Sequence, residues 1–202
     1  MTALLIRNGH LIDPAAGVDG HRDILLKDGR VVEIAAAGKL KPPNDTESLD
    51  ATGLTVAPGL IDIHVHLREP GQGYKETIAT DHAPHATHEK EVEFENAPNG
   101  ITGLETALGL CLRWLHKEWK LPLGRVLSLL SAQPAALLGL KGRGTLAVGS
   151  FADVVVFDPK AEWIYRAKET RSKAHNTPFD GWTMQGKVRW TISEGRVAHS
   201  SA

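Results

Sequence analysis

The sequence predicts an α/β protein in which β-rich runs from both ends of the chain build one small sandwich around a helical middle. Three observations carry this expectation. Turn dipeptides sit between β-rich runs at Asn8-Gly9, Asp28-Gly29 and Glu194-Gly195. Leucines recur at helical spacing through residues 100–140, the pattern of an amphipathic helix. Neither end alone supplies enough strands to bury a sheet face, so a composite is the economical arrangement. The alternative is two separate β subdomains.

In chain order, residues 4–12 and 24–34 are expected as hairpins, because Asn-Gly and Asp-Gly readily take the positive φ of two-residue hairpin loops. Residues 39–46 are polar around Pro42-Pro43 and read as a loop. The spacing of Ile101, Leu104, Leu108, Cys111, Leu112 and Leu115 predicts a helix over 100–119. Pro122 opens a second helix through Leu123, Val126, Leu127 and Leu130. A short third helix spans 133–139, with Pro134 near its first turn and Gly139 past its end. Gly142, Gly144 and Gly149 mark the return to the sandwich, where 151–158 is a strand and 190–198 a last hairpin. Residues 1–57 and 141–202 are therefore expected as the sandwich, with 58–140 as a second unit.

Bulk properties narrow the function classes. The 202 residues carry 23 basic and 24 acidic side chains, a net charge of −1. That balance offers no electrostatic basis for holding nucleic acid or an anionic membrane. No apolar run approaches the ~20 residues of a membrane helix. The first residues lack a secretory signal pattern, so a cytoplasmic protein is expected. Cys111 is the single cysteine; it excludes an internal disulfide and reads as a small core residue.

The chemistry concentrates in residues 59–88. Residues 59–71 read as a strand, along which side chains alternate between faces. Asp62, His64, His66 and Arg68 share one face; Ile61, Ile63, Val65 and Leu67 share the other. Two imidazoles one pleat apart can grip one metal ion, and a guanidinium can fork onto a carboxylate. A pair of exposed strand histidines is the alternative. A second cluster follows at 80–88, where Asp81 stands beside His82, His85 and His88. A carboxylate among histidines suits a metal ligand or a general base. His88 reads as a solvated loop residue.

These words carry a resemblance. HVHLREPG at 64–71 and DHAPH at 81–85 resemble the motifs of dihydroorotases, metal-dependent cyclic-amide hydrolases of the amidohydrolase superfamily. NTPFDGW at 176–182 agrees. The intact LREPG ending at 67–71 places the chain nearer to dihydroorotases than to hydantoinases or allantoinases. The resemblance implies a sandwich carrying a (β/α)8 TIM barrel, with HVHLREPG ending the first barrel strand and DHAPH ending the eighth. Such a barrel takes ~250 residues. Here only 83 residues, 58–140, lie between the sandwich halves, and 14 lie between His66 and Asp81. The expectation is a barrel remnant of the first and eighth strands and the C-terminal helices only, joined within 76–80.

The resemblance also implies roles. His64, His66 and Asp81 would hold Zn2+, one ion at most, because the residues that complete a second metal in the family have no counterpart here. Asp81 would be the catalytic proton shuttle. Arg68 and His85 would hold the substrate carboxylate, and the backbone of Pro98 and Gly100 would lie near the pyrimidine ring. Asn99 departs from the Pro-Phe-Gly that family members often carry there. The implied reaction is reversible ring opening of dihydroorotate to N-carbamoyl-L-aspartate in pyrimidine biosynthesis. With barrel strands two to seven absent, the chain is expected to be impaired or inactive alone. The alternatives are a non-catalytic assembly partner of aspartate carbamoyltransferase, or a deletion product without function; a homo-oligomer is a further possibility.

Overall fold

A computed structural model describes residues 3–63 and 77–201. Strands from both ends of the chain share one eight-stranded sheet. They are β1 (Leu4–Asp13), β2 (Val18–Lys27), β3 (Arg30–Ala36), β4 (Glu47–Asp50), β5 (Thr55–Pro58), β6 (Val154–Ile164), β7 (Thr183–Ser193) and β8 (Arg196–Ser200). The order is β3-β2-β1-β5-β6-β7-β8, with β4 beside β1. β5 joins the two ends, running parallel to β1 and antiparallel to β6.

The expected turns at Asp28-Gly29 and Glu194-Gly195 close the β2–β3 and β7–β8 hairpins, with positive φ at all four residues. The expected hairpin over 4–12 does not form. β1 continues through it, and Asn8 (φ 60) marks a bulge where the β1–β2 register shifts between Ile6 and Gly9. The cause is pairing on both sides. β1 holds β2 along one edge and β4, then β5, along the other. The left-handed residue is absorbed as a kink in the strand, and the Asn8 N–H donates to Asp23 Oδ1 at 2.9 Å.

β6 explains how the sheet meets the helices. Its Val154 and Val156 enter one core with Leu4, Ile6, Ile24, Leu26, Val31, Val56 and Ile192. Its Val155 and Phe157 enter another with Ile12, Ala57, Leu108, Leu112, Val126, Leu127 and Leu130. Alternation along the strand sends neighbours to opposite faces. Both faces are covered, so the run VVVF is continuously apolar.

The helices are α1 (Thr87–Lys90), α2 (Ala107–Cys111), α3 (Leu123–Leu130) and α4 (Ala132–Leu137). α2 runs on through Leu112–Glu118 in the wider π geometry, where the Trp119 N–H bonds to Trp114 O at 2.9 Å. The helix expected over 100–119 therefore starts late. Residues 101 and 102 are engaged elsewhere, Ile101 in a bridge to His82 and the Thr102 N–H in a bond to Asn176 O. Beyond Pro58, which ends β5, the described residues up to 140 form no strand. Of the expected first barrel strand, 59–63 carry no ladder and 64–71 lie outside the described residues. The expected eighth strand is a single parallel bridge, His82 to Ile101. Among the described residues, no helix is long and apolar enough to cross a membrane.

Asp13 ties the sheet to the loop that follows α4. Asp13 is 1% exposed. Oδ1 accepts the Ala15 and Ala16 N–H groups, and Oδ2 accepts the Leu146 N–H at 2.6 Å and the Thr145 hydroxyl at 2.8 Å. Buried donors stranded without an acceptor are costly. Asp13→Ala is expected to destabilise the protein by about 3 kcal/mol, lowering Tm by about 6–12 °C in a thermal melt.

Burial pushes the Cys111 thiol up to about 12 from 9.0. The folded state holds its proton where the unfolded chain releases it. Stability is thus fully present below pH 9 and is lost as pH rises towards 12, at about 1.4 kcal/mol per unit. Denaturant titrations at pH 8, 10 and 11 should show this slope in the difference between wild type and Cys111→Ala. At pH 8 the native thiol should resist alkylation.

Candidate functional site

The site begins at the end of α3. The last carbonyls of a helix have no partner within it. Here Leu130 O accepts the Ile61 N–H at 2.8 Å, and Leu129 O accepts the Ile78 N–H at 3.0 Å and the buried Thr77 hydroxyl at 2.7 Å. One helix end therefore holds both segments that lead to the motifs. Asp62 reinforces the pairing, accepting the Thr80 N–H at 3.1 Å and the Thr80 hydroxyl.

Asp81 follows Thr80 in the left-handed region (φ 45) and is half-buried. Beyond it the chain lies against residues 99–104. The Ala83 N–H donates to Ile101 O at 2.8 Å. His82 Nδ1 accepts the N–H groups of Gly103 at 3.1 Å and Leu104 at 3.4 Å, so the proton of the neutral ring sits on Nε2. Two glycines allow this approach. A Cβ on Gly103 would lie 2.6 Å from Thr80 O, and one on Gly100 (φ +117) would lie 2.5 Å from Ala83 Cβ.

His85 is reached from three directions. Its N–H donates to Asn176 Oδ1 at 3.0 Å, and its Nε2 lies 3.0 Å from Asn99 O. Its Nδ1 lies 3.7 Å from Glu89 Oε2. Asn176 Nδ2 donates to Ala83 O at 2.9 Å and Gly100 O at 3.2 Å. Lys90 Nζ donates to Pro98 O at 2.7 Å and Gly100 O at 3.3 Å. Beneath them Tyr165 is buried against the Thr102 and Thr177 side chains, and burial raises its hydroxyl pKa above the usual range.

The structure thus brings His85, Pro98 and Gly100 into one hydrogen-bonded region, with Asn176 joining them, and Asp81 lies beside that region between Thr80 and His82. His64, His66 and Arg68 lie outside the described residues, so the three expected zinc ligands are represented by Asp81 alone. Among the described residues no three His, Cys, Asp or Glu groups are placed to hold a metal ion. His88 is exposed on α1. Sequence reasoning gave no role to Lys90 or to the Asn176 side chain. NTPFDGW was the one signal for Asn176; Lys90 gave none. A cleft of about 760 Å³ adjoins this region at His82 and Leu104, and its lining also includes Trp163, Arg171 and His199 but neither Asp81 nor His85.

A sequence profile of the amidohydrolase family matches residues 96–199, half of the chain. The chain belongs to the amidohydrolase family. Among curated proteins, this chain is 41% identical over 177 residues to a dihydroorotase of Citrifermentans bemidjiense, covering 87% of this chain and 38% of the relative. It is 43% identical over 177 residues to a dihydroorotase of Geobacter sp. (strain M21), with the same shares. The chain thus spans 38% of the length of these relatives. Among solved structures, it is similar to a dihydropyrimidinase of Brevibacillus agri, with TM-score 0.85 at 14% identity, covering 98% of this chain and 95% of that one. A D-hydantoinase of a Thermus species gives TM-score 0.84 at 15% identity, with the same coverage. At such identities the likeness establishes the fold alone.

Gly103→Ala is expected to part residues 80–83 from 101–103, since the added carbon meets backbone that cannot give way. Hydrogen exchange at the Ala83 N–H should speed up at least about tenfold, while β6 and β7 amides stay protected.

Proposed function

We propose that this chain carries part of a dihydroorotase-type site, directed at dihydroorotate and N-carbamoyl-L-aspartate, and that its turnover alone is impaired. The observation that supports this reading best is the convergence of residues 80–85, 98–103 and Asn176 into one hydrogen-bonded unit. The dihydroorotases among its relatives supply the substrate class.

In this reading residues 1–57 and 141–202 are the sandwich and 58–140 a barrel remnant. His64, His66 and Asp81 hold one Zn2+; two imidazoles and a carboxylate are the donor chemistry of a catalytic zinc site. A bound Zn2+ would supply Lewis acidity towards the ring carbonyl and lower the pKa of a water. The Asp81 carboxylate takes a proton from the attacking water and returns it to the leaving amide nitrogen. The Arg68 guanidinium forks onto the substrate carboxylate, with His85 beside it. The backbone at Pro98 and Gly100 lines the ring. Catalysis needs these groups held within about 0.5 Å of their working positions. With strands two to seven of the barrel absent, that precision is lost, which is the basis for the impaired turnover.

The test is dihydroorotate hydrolysis by zinc-loaded protein. Turnover at least about 100-fold below that of a full-length relative is expected, and it should vanish in His64→Ala. Equal rates in wild type and His64→Ala, or no turnover in either, would overturn the enzymatic reading.

A further inference from the structure

We infer that Asn176 is a positioning residue, which sets the placement and tautomer of His85 by clamping it to the backbone of residues 99 and 100. The inference rests on the reading of His85 as a ligand contact, but its first readout needs no ligand. Asn176 stands 91 positions from His85 in sequence, and its side chain bonds both segments of the site. Oδ1 accepts the His85 N–H; Nδ2 gives its two hydrogens to Ala83 O and Gly100 O. Its own backbone carbonyl accepts the Thr102 N–H at 3.0 Å.

The consequence falls on the imidazole. A carbonyl oxygen only accepts, so the contact of His85 Nε2 with Asn99 O places the proton of the neutral ring on Nε2. That contact depends on how His85 and Asn99 are placed relative to each other, and the Asn176 fork is what joins the His85 main chain to Gly100 O. Without the fork, the His85 main chain is no longer tied to Gly100 O, and the ring loses the alignment with Asn99 O that fixes its tautomer and its orientation towards a ligand. An amide alone among short side chains offers one acceptor and two donors in this fork. Aspartate at 176 keeps the acceptor but turns an oxygen towards two carbonyls. Alanine loses all three bonds. Lys90 grips the same loop through Pro98 O and Gly100 O without bonding His85, which makes it the natural rival and the natural control.

The experiment uses the full chain labelled with 15N-histidine. Long-range 15N–1H correlations report the tautomer of each ring, and His85→Ala assigns the His85 signals. Wild type should give a single Nε2–H pattern for His85. Asn176→Asp and Asn176→Ala should give a mixture of both tautomers, with the His85 amide exchanging about tenfold faster. Lys90→Met should keep the wild-type ring pattern. Unchanged β6 and β7 amides establish that a variant is folded. If Asn176→Ala does not fold, the near-isosteric Asn176→Asp decides. An Nδ1–H pattern in wild type, or a wild-type pattern in folded Asn176→Asp, overturns the inference. A second arm measures N-carbamoyl-L-aspartate binding, expected to be about tenfold weaker in Asn176→Asp. Absence of binding in wild type would sink the proposed ligand while the ring pattern still decides the role of Asn176.

Discussion

The arrangement depends on the C-terminal end of α3. A helix that stops leaves carbonyls pointing outward, and burial makes them demand donors. Leu129 and Leu130 take theirs from Thr77, Ile78 and Ile61. Two stretches of chain that share no strand ladder are therefore held against one rigid anchor. α3 is itself fixed, because Val126, Leu127 and Leu130 pack onto Val155 and Phe157 of β6. The position of Asp81 is thus inherited, through Thr80 and Thr77, from the middle of the sheet.

Much of this scaffold is legible in the residues. The hairpin dipeptides at 28–29 and 194–195, the apolar run of β6 and the leucine spacing of α3 each encode a local preference that tertiary contacts reinforce. Asn8-Gly9 carries the same local signal, yet it yields a bulge, because β1 has partners on both edges and no dipeptide reveals that. The apolar spacing from Ile101 continues into a genuine helix. It misplaces the start because residues 101 and 102 take partners outside the helix, His82 and Asn176.

The site is legible in its titratable groups and opaque in its supports. Asp81 and His85 stand out because carboxylates and imidazoles beside one another are chemically conspicuous. Asn176 and Lys90 act by donating to main-chain carbonyls. That leaves no periodicity and, for Asn176, spans a separation no local pattern covers. Gly100 stood out through resemblance as a neighbour of the ring. The structure adds a steric reason for glycine there, the approach of Ala83.

The pairing of β5 with β6 has a consequence for how the polypeptide is made. Thr55 lies opposite Phe157, about a hundred residues later. Contacts this distant in sequence slow folding, because a long loop must close before they form. As the chain leaves the ribosome, β1, β2 and β3 can pair early, but the free edge of β5 must wait for β6. During that interval an apolar edge is available to any neighbouring nascent chain, and synthesis rate and chaperone access then govern the yield of folded protein.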